Sequence, residues 1–362
     1  MEPINVTAPA LAPLHEFLGE LSAIWETGNL SNTGPQAKRL ETDLGKVLGL
    51  NDFIAVTNGT VALQMAIKSL NKTGEIITPA FSFIATVSAI VSEGCTPIYC
   101  DIDEKTFNID VSKIEELITE NTIAIMPVHV FGNPCDIEAL SHISMKYSLP
   151  IIYDAAHAMG STYNGRSILS YGHVSALSMH ATKIFNTGEG GGLYSRDPIT
   201  MEKLREFRNF GMNNQKQIVA NGFNGKMSEI HAALGNANLK YFYDVLSDRR
   251  EKWLQYYSAL SPFSLLKFQE IDHENTNFSY FPIILESEAS LVSLLKHLEA
   301  EKIFPRRYFY PSLNAVSLEK RKFRCPVSED ISKRILCLPL SKSLRSDQIE
   351  LISSLIIEWG KK

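Results

Sequence analysis

The sequence predicts an α/β protein: a large domain on a mostly parallel, seven-stranded sheet, then a smaller C-terminal α+β domain. Three observations carry that expectation. Between residues 53 and 209, short apolar runs alternate with longer segments of helical period, the pattern of strands joined by crossover helices. Past about residue 261 the elements become shorter. With 362 residues the chain can build two hydrophobic cores, and no internal repeat, low-complexity tract or long flexible linker separates the parts. The expected division is 1–245 and 246–362.

The first strand, 53–57, ends on Asn58-Gly59-Thr60, and a helix over 61–70 follows at once. Strands over 75–78 and 96–100 enclose a helix over 83–93. A helix over 111–118 leads to a strand over 122–128, and one over 137–147 to a strand over 150–154. Strands over 174–180 and 192–195 flank the glycine cluster Gly188-Glu189-Gly190-Gly191-Gly192. Helices are then expected over 199–209 and from about 228 through Arg249-Arg250 towards Leu260. In the second domain a strand is expected over 278–285, with helices over 290–302 and 346–359.

Composition narrows the function classes. Lys and Arg number 35 and Asp and Glu 40, a formal charge of −5 with the signs interspersed, so there is no basic footprint for nucleic acid or an anionic membrane. Any anionic ligand must be held locally. The cysteines Cys95, Cys100, Cys135, Cys325 and Cys337 are scattered and lack Cys-x-x-Cys spacing, which points to reduced thiols rather than a disulfide framework or a metal site. The opening Met1-Glu2-Pro3-Ile4-Asn5 has neither the basic start nor the apolar core of a secretory signal, and no apolar run is long enough to span a bilayer. A soluble, cytoplasmic protein is expected.

Chemistry concentrates at the expected strand ends, where open α/β sheets bind ligands. Lys183 closes the segment Ser178-Met179-His180-Ala181-Thr182-Lys183, and a lysine where a strand-like run ends can serve as a Schiff-base amine. Asp154 closes Ile151-Ile152-Tyr153-Asp154; a carboxylate at the end of a buried strand requires a partner, either a neighbouring cation or a ligand nitrogen such as a pyridinium. His157, three residues on, either faces the same crevice or is structural. The Asn58-Gly59-Thr60 turn offers free backbone N–H groups and a hydroxyl at the positive end of a helix, which suits a phosphate; alternatively it is a plain turn with Thr60 as the cap. Phe81 is expected in the core, whereas Phe83, opening a helix at a strand end, can cover a planar ring. The glycine cluster precedes a strand and lacks the third glycine of a dinucleotide fingerprint, and Gly225-Lys226 is followed by Met227-Ser228, so no Walker loop is present.

In this order the segments resemble the sugar aminotransferases of the DegT/DnrJ/EryC1/StrS family, which have the aspartate aminotransferase-like fold type I. The resemblance runs from Leu30-Ser31-Asn32-Thr33-Gly34-Pro35 through the turn at Asn58, Asp154-Ala155-Ala156-His157 and the lysine segment. It continues to Phe223-Asn224-Gly225-Lys226-Met227-Ser228-Glu229 and to Arg306-Arg307-Tyr308-Phe309-Tyr310-Pro311-Ser312-Leu313. It implies pyridoxal 5'-phosphate (PLP) as cofactor, carried by Lys183, with Asp154 at its ring nitrogen and His157 beside its phenolic oxygen. Phe83 would stack on the ring, and Gly59, Thr60 and Ser178 would hold the phosphate. A homodimer with shared active sites is also implied, Asn224 or Lys226 completing the neighbour's phosphate site; on its own residues that loop would be an exposed basic turn. Lys183, in place of the histidine of related sugar deoxygenases, favours transamination.

The resemblance further implies a ping-pong exchange in which L-glutamate gives up its amino group and a nucleotide-linked keto sugar receives it. Arg306-Arg307-Tyr308 offers a bidentate anion binder beside an aromatic, for a diphosphate or the donor carboxylate, or else a surface ion pair. The segments Ala8-Pro9-Ala10-Leu11 and Pro305 to Pro311 look most like the branch that converts dTDP-4-keto-6-deoxy-D-glucose to its 4-amino sugar, a precursor step for O-antigen or related surface glycans. A 3-keto isomer is the alternative substrate, and a PLP-binding regulatory protein is the rival from another class.

Overall fold

In the computed structural model, which describes residues 2–316 and 323–361, the chain opens with β1 (Ile4–Asn5), α1 (Leu14–Thr27) and α2 (Pro35–Val47). There follow β2 (Ile54–Val56), α3 (Gly59–Lys68), β3 (Glu75–Pro79), α4 (Ile84–Ser92), β4 (Thr96–Cys100), β5 (Thr122–Ile125), α5 (Ile137–Tyr147) and β6 (Ile152–Asp154). After a small hairpin, β7 (Thr162–Tyr163) and β8 (Arg166–Ser167), come β9 (Val174–Ser178), β10 (Gly191–Tyr194), α6 (Pro198–Arg208), α7 (Glu229–Leu239) and α8 (Phe242–Leu260). The C-terminal part holds β11 (Lys267–Phe268), β12 (Phe281–Ile284), α9 (Glu288–Ala300), β13 (Ile303–Phe304), α10 (Pro326–Arg334), β14 (Ile335–Leu338) and α11 (Ser346–Trp359).

The larger strands lie in two ladders rather than one continuous sheet, of order β2-β10-β9-β6 and β4-β3-β5. Pairing is parallel except around β10, which runs antiparallel to both β9 and β2. Two isolated parallel bridges, Ile125 to Ile151 and Val128 to Asp154, link the ladders. The pairing is interrupted there because Pro127 and Pro150 have no N–H to donate. Their carbonyls accept instead, from the N–H groups of Asp154 (2.9 Å) and Ile125 (3.1 Å). Strand interiors such as Ile54-Ala55-Val56 and Ile76-Ile77 are fully buried, as expected of strands covered on both faces.

Several expected elements change on folding. The helix expected over 111–118 is two single 3₁₀ turns, Val111–Lys113 and Glu115–Leu117; Asp110 caps the first through the Ser112 N–H, and so short a segment gains little from helix propagation. The helical run from 228 breaks between Leu239 and Phe242, beside the buried Asn236 and Asn238, whose amides donate to the Gln36 and Asn186 carbonyls. The strand over 122–128 stops at Ile125, ahead of Pro127.

In the N-terminal part of the chain a helix start is tied by a side chain distant in sequence. The buried Glu229 of α7 accepts from the N–H groups of Gln36 (2.8 Å) and Ala37 (3.0 Å), so a carboxylate distant in sequence meets the positive end of α2. Gly34 is required before that end, since a Cβ there would lie 2.7 Å from the Glu229 carboxylate.

A second apolar core gathers Trp253, Tyr256 and Leu260 of α8 against Phe281 and Ile283 of β12, with Leu291 and Leu294 of α9 and Ile352 and Ile356 of α11. Ile4 joins it, because β1 pairs in parallel with β13 and fastens the start of the chain to the C-terminal part. A third cluster, including Phe81, Phe107, Phe131, Tyr280 and Phe309, bridges the two parts, and its Tyr280 and Phe309 line the cavity described next. Among the described residues no helix is long and apolar enough to cross a membrane.

Candidate active site

The carboxyl ends of β2, β6 and β9 converge on a cavity of about 480 Å³. From the N-terminal part of the chain it is lined by Asn58, Gly59, Thr60, Phe83, Asp154, His157, Ser178 and Lys183, and from the C-terminal part by Tyr280, Arg306, Tyr308 and Phe309. Segments more than a hundred residues apart thus supply one site.

Asp154 is buried at the end of β6. One carboxylate oxygen accepts from the Thr86 hydroxyl at 2.7 Å and the other from the Ala156 N–H at 3.1 Å. Burial raises its pKa, opposed by the Thr86 and Ala156 hydrogen bonds and by the charge of Lys183. Burial also lowers the pKa of Lys183 to about 8, against the opposing pull of Asp154. A neutral amine is therefore accessible close to neutral pH.

The His157 ring lies parallel to those of Phe131 (centroids 6.0 Å apart) and Phe309 (5.8 Å). Its Nδ1 is buried without a hydrogen-bond partner among the described residues. Burial first, and Lys183 second, holds its pKa well below the ordinary histidine value, so the ring is neutral.

At the end of β2, Asn58 is the cap of α3: its backbone is extended and its Oδ1 accepts from the Val61 N–H at 2.9 Å. This corrects the alternative that made Thr60 the cap, since Thr60 is the second residue of the helix and the cap is Asn58. The N–H groups of Gly59 and Thr60 have no acceptor within the helix. A Cβ on Gly59 would stand 3.0 Å from that of Ser178, so glycine permits the two segments to form one cradle. Phe83 occupies the cap position of α4 and is exposed at the cavity, whereas Phe81 is buried, as expected.

Of the arginine pair only Arg306 lines the cavity, with its guanidinium over the Tyr308 ring (4.6 Å) and its backbone paired to Cys337 beside β14. Arg307 does not join it. Its guanidinium pairs with Glu288 (2.6 Å) and lies over Tyr310 (3.4 Å), because neighbouring residues of an extended segment point to opposite sides. Asn224 and Lys226 also lie outside the cavity of their own chain: the Lys226 ammonium donates to Asn224 (2.7 Å) and sits over Phe210 (4.2 Å). Site residues that the sequence did not single out are Thr86, Tyr280, Phe309 and Glu189. A hydroxyl in the first turn of the apolar helix α4 was the available signal for Thr86; the aromatic residues carried none.

A buried acid, a desolvated lysine, an unpartnered imidazole nitrogen and a glycine-lined cradle at a helix start fit PLP: the ring nitrogen, aldehyde, phenolic oxygen and phosphate each find a matching group. The fold and cavity define a PLP-dependent enzyme, and comparison with known proteins agrees. The model of the DegT/DnrJ/EryC1/StrS aminotransferase family matches residues 14–356. A dTDP-4-amino-4,6-dideoxy-D-glucose transaminase from Shigella dysenteriae is 41% identical, with 99% of each chain covered. One of the same name from Escherichia coli is 35% identical, with 98% of each covered. Among solved structures, DesI in the presence of its TDP-sugar product superposes with a TM-score of 0.93 at 29% identity, covering 98% of this chain and 92% of that one. This chain belongs to the DegT/DnrJ/EryC1/StrS family and is a PLP-dependent aminotransferase.

Proposed function

We propose that the protein transfers the amino group of L-glutamate to dTDP-4-keto-6-deoxy-D-glucose, giving dTDP-4-amino-4,6-dideoxy-D-glucose. The observation that carries this is a single cavity in which Lys183 and Asp154 meet and Arg306 stands at the solvent side, in a chain 41% identical to a transaminase named for that amino sugar. PLP, when bound, supplies an aldehyde that accepts amino groups and a ring that takes up electrons.

The chain's own residues do the rest. Lys183 holds the cofactor and, once released, moves a proton at the reacting carbon, a task suited to a pKa of about 8. Asp154 keeps the ring nitrogen protonated. His157 orients the ring through its phenolic oxygen, Phe83 covers one face, and Gly59, Thr60 and Ser178 bind the phosphate. Arg306 beside Tyr308 takes the substrate's anionic group, while the ion pair of Arg307 with Glu288 gives it a structural task.

The reading extends to assembly. Leu14, Leu18 and Trp25 on α1, with Phe210 and Ile218 in the loop before Asn224, leave large apolar surfaces exposed, which suits a homodimer. In it, Asn224 or Lys226 completes the neighbour's phosphate site. The two linked ladders act as one seven-stranded sheet of a large domain, 1–245, with 246–362 the smaller domain. All five cysteines are free, which fits a reducing, cytoplasmic setting. The test is product analysis with PLP, glutamate and the dTDP-4-keto sugar. The expected outcome is 2-oxoglutarate and a dTDP-amino sugar in equal amounts; turnover of a 3-keto isomer alone would reassign the substrate.

A further inference from the structure

We propose that Thr86, backed by Ser82, is a positioning residue for the transamination, holding Asp154 ionised and aimed at the cofactor ring nitrogen. The inference rests on the assignment of Asp154 made above. Its basis is a chain of two short hydrogen bonds. The Thr86 hydroxyl lies 2.7 Å from one Asp154 carboxylate oxygen, and the Ser82 hydroxyl lies 2.7 Å from that of Thr86. All three side chains are buried: Ser82 is 2% exposed, Thr86 not at all and Asp154 4%.

A hydroxyl carries a single proton. When Thr86 donates it to the carboxylate, Ser82 has to be the donor to Thr86, so the row points one way, towards Asp154. Each bond polarises the next, and the row stabilises the anion over the neutral acid. Burial of all three side chains shields the row from bulk solvent.

The fold gives the pair a second task. Thr86 is in the first turn of α4, three residues after Phe83, and its N–H donates to the Phe83 carbonyl at 3.1 Å. One helix start therefore presents both the aromatic that covers the ring and the hydroxyl that holds the ring's acid. The positive end of α4 also favours the carboxylate.

Arg306, His180 and Glu189 share the cavity, and the buried His129 donates its backbone N–H to the Asp154 carbonyl; three further titratable groups stand around Asp154. Lys183, after β9, favours the anion; the His157 imidazole shares the cavity and is kept neutral by burial; the Cys135 thiol behind the strand is kept protonated by burial. None of them can replace a directed donor to the Thr86 side of the carboxylate.

The test uses the full-length holoenzyme and three variants, Thr86→Val, Thr86→Ser and Ser82→Ala, with Asp154→Asn as reference. PLP affinity is measured by titration of the cofactor-free chain, and kcat as a function of pH. Thr86→Val is expected to lower kcat and PLP affinity about ten- to a hundredfold, the worth of a hydrogen bond to a charged group. The acidic limb of its kcat profile should move to higher pH, because an acid without its donor needs a higher pH to ionise. Thr86→Ser should restore both, and Ser82→Ala should shift the limb in the same direction by less. Wild-type affinity and an unmoved limb in Thr86→Val, with Asp154→Asn inactive, would overturn the proposal and leave Asp154 standing. An active Asp154→Asn would remove the assignment on which it rests. Should Thr86→Val not fold, Ser82→Ala decides, and an unmoved limb there overturns the relay.

Discussion

In the proposed reaction Lys183 has to meet two opposed demands, being neutral to attack and charged to give up a proton, and burial, against the opposing pull of Asp154, lowers its pKa to about 8. The rate at which the cofactor-free chain captures PLP should accordingly rise with pH and level off above about 8, rather than near the 10.5 of an ordinary lysine. Stopped-flow absorbance across that range measures it. Lys183→Ala should cut turnover by at least about a thousandfold and abolish the lysine-linked absorbance of the cofactor. Asp154→Asn should cost about a hundredfold or more in kcat, since an amide cannot balance a protonated ring nitrogen. Lys183, Asp154, Gly59 and His157 were legible in the sequence because each stands in a short segment at a strand end, where local order places it. Thr86, Tyr280 and Phe309 were not, because their approach to the site is made by tertiary packing. Arg307 takes the ion-pair alternative left open for that segment, since a two-residue motif does not say which side chain faces inward.

At the scale of elements, the start of α3 serves both the helix and the cavity. Asn58 is both the cap of that helix and a wall of the cavity. Asn58→Ala should cost about 1 kcal/mol of stability, readable by denaturant titration of the cofactor-free protein. The buried Glu229 ties α7 to the start of α2, so Glu229→Ala should cost on the order of 2 kcal/mol by leaving two backbone N–H groups unsatisfied. Strong apolar periodicity made most strands and helices legible, including α11, which spans the expected 346–359. What escaped depended on single backbone groups. Prolines 127 and 150 interrupt the pairing between the ladders, and the segment from 111 to 118 forms 3₁₀ turns where a helix was expected.

At the scale of the whole molecule, two parts of the chain share one cavity, and the proposed dimer would bring two copies of the chain into one working unit. Mixing Lys183→Ala subunits with Asn224→Ala or Lys226→Ala subunits should recover activity, up to about a quarter of the wild-type level by random pairing, if the loop serves the neighbour's site. Subunits with self-contained sites would recover none, which an activity assay after refolding the mixture distinguishes. The most direct test of the central claim is the absorbance spectrum of the purified holoenzyme, taken before and after L-glutamate and then after dTDP-4-keto-6-deoxy-D-glucose. Glutamate is expected to convert the bound cofactor to its amine form, and the keto sugar to return it to the starting form with release of the 4-amino sugar. A cofactor that glutamate leaves unchanged, or an amine form that the 4-keto sugar does not discharge, would contradict it.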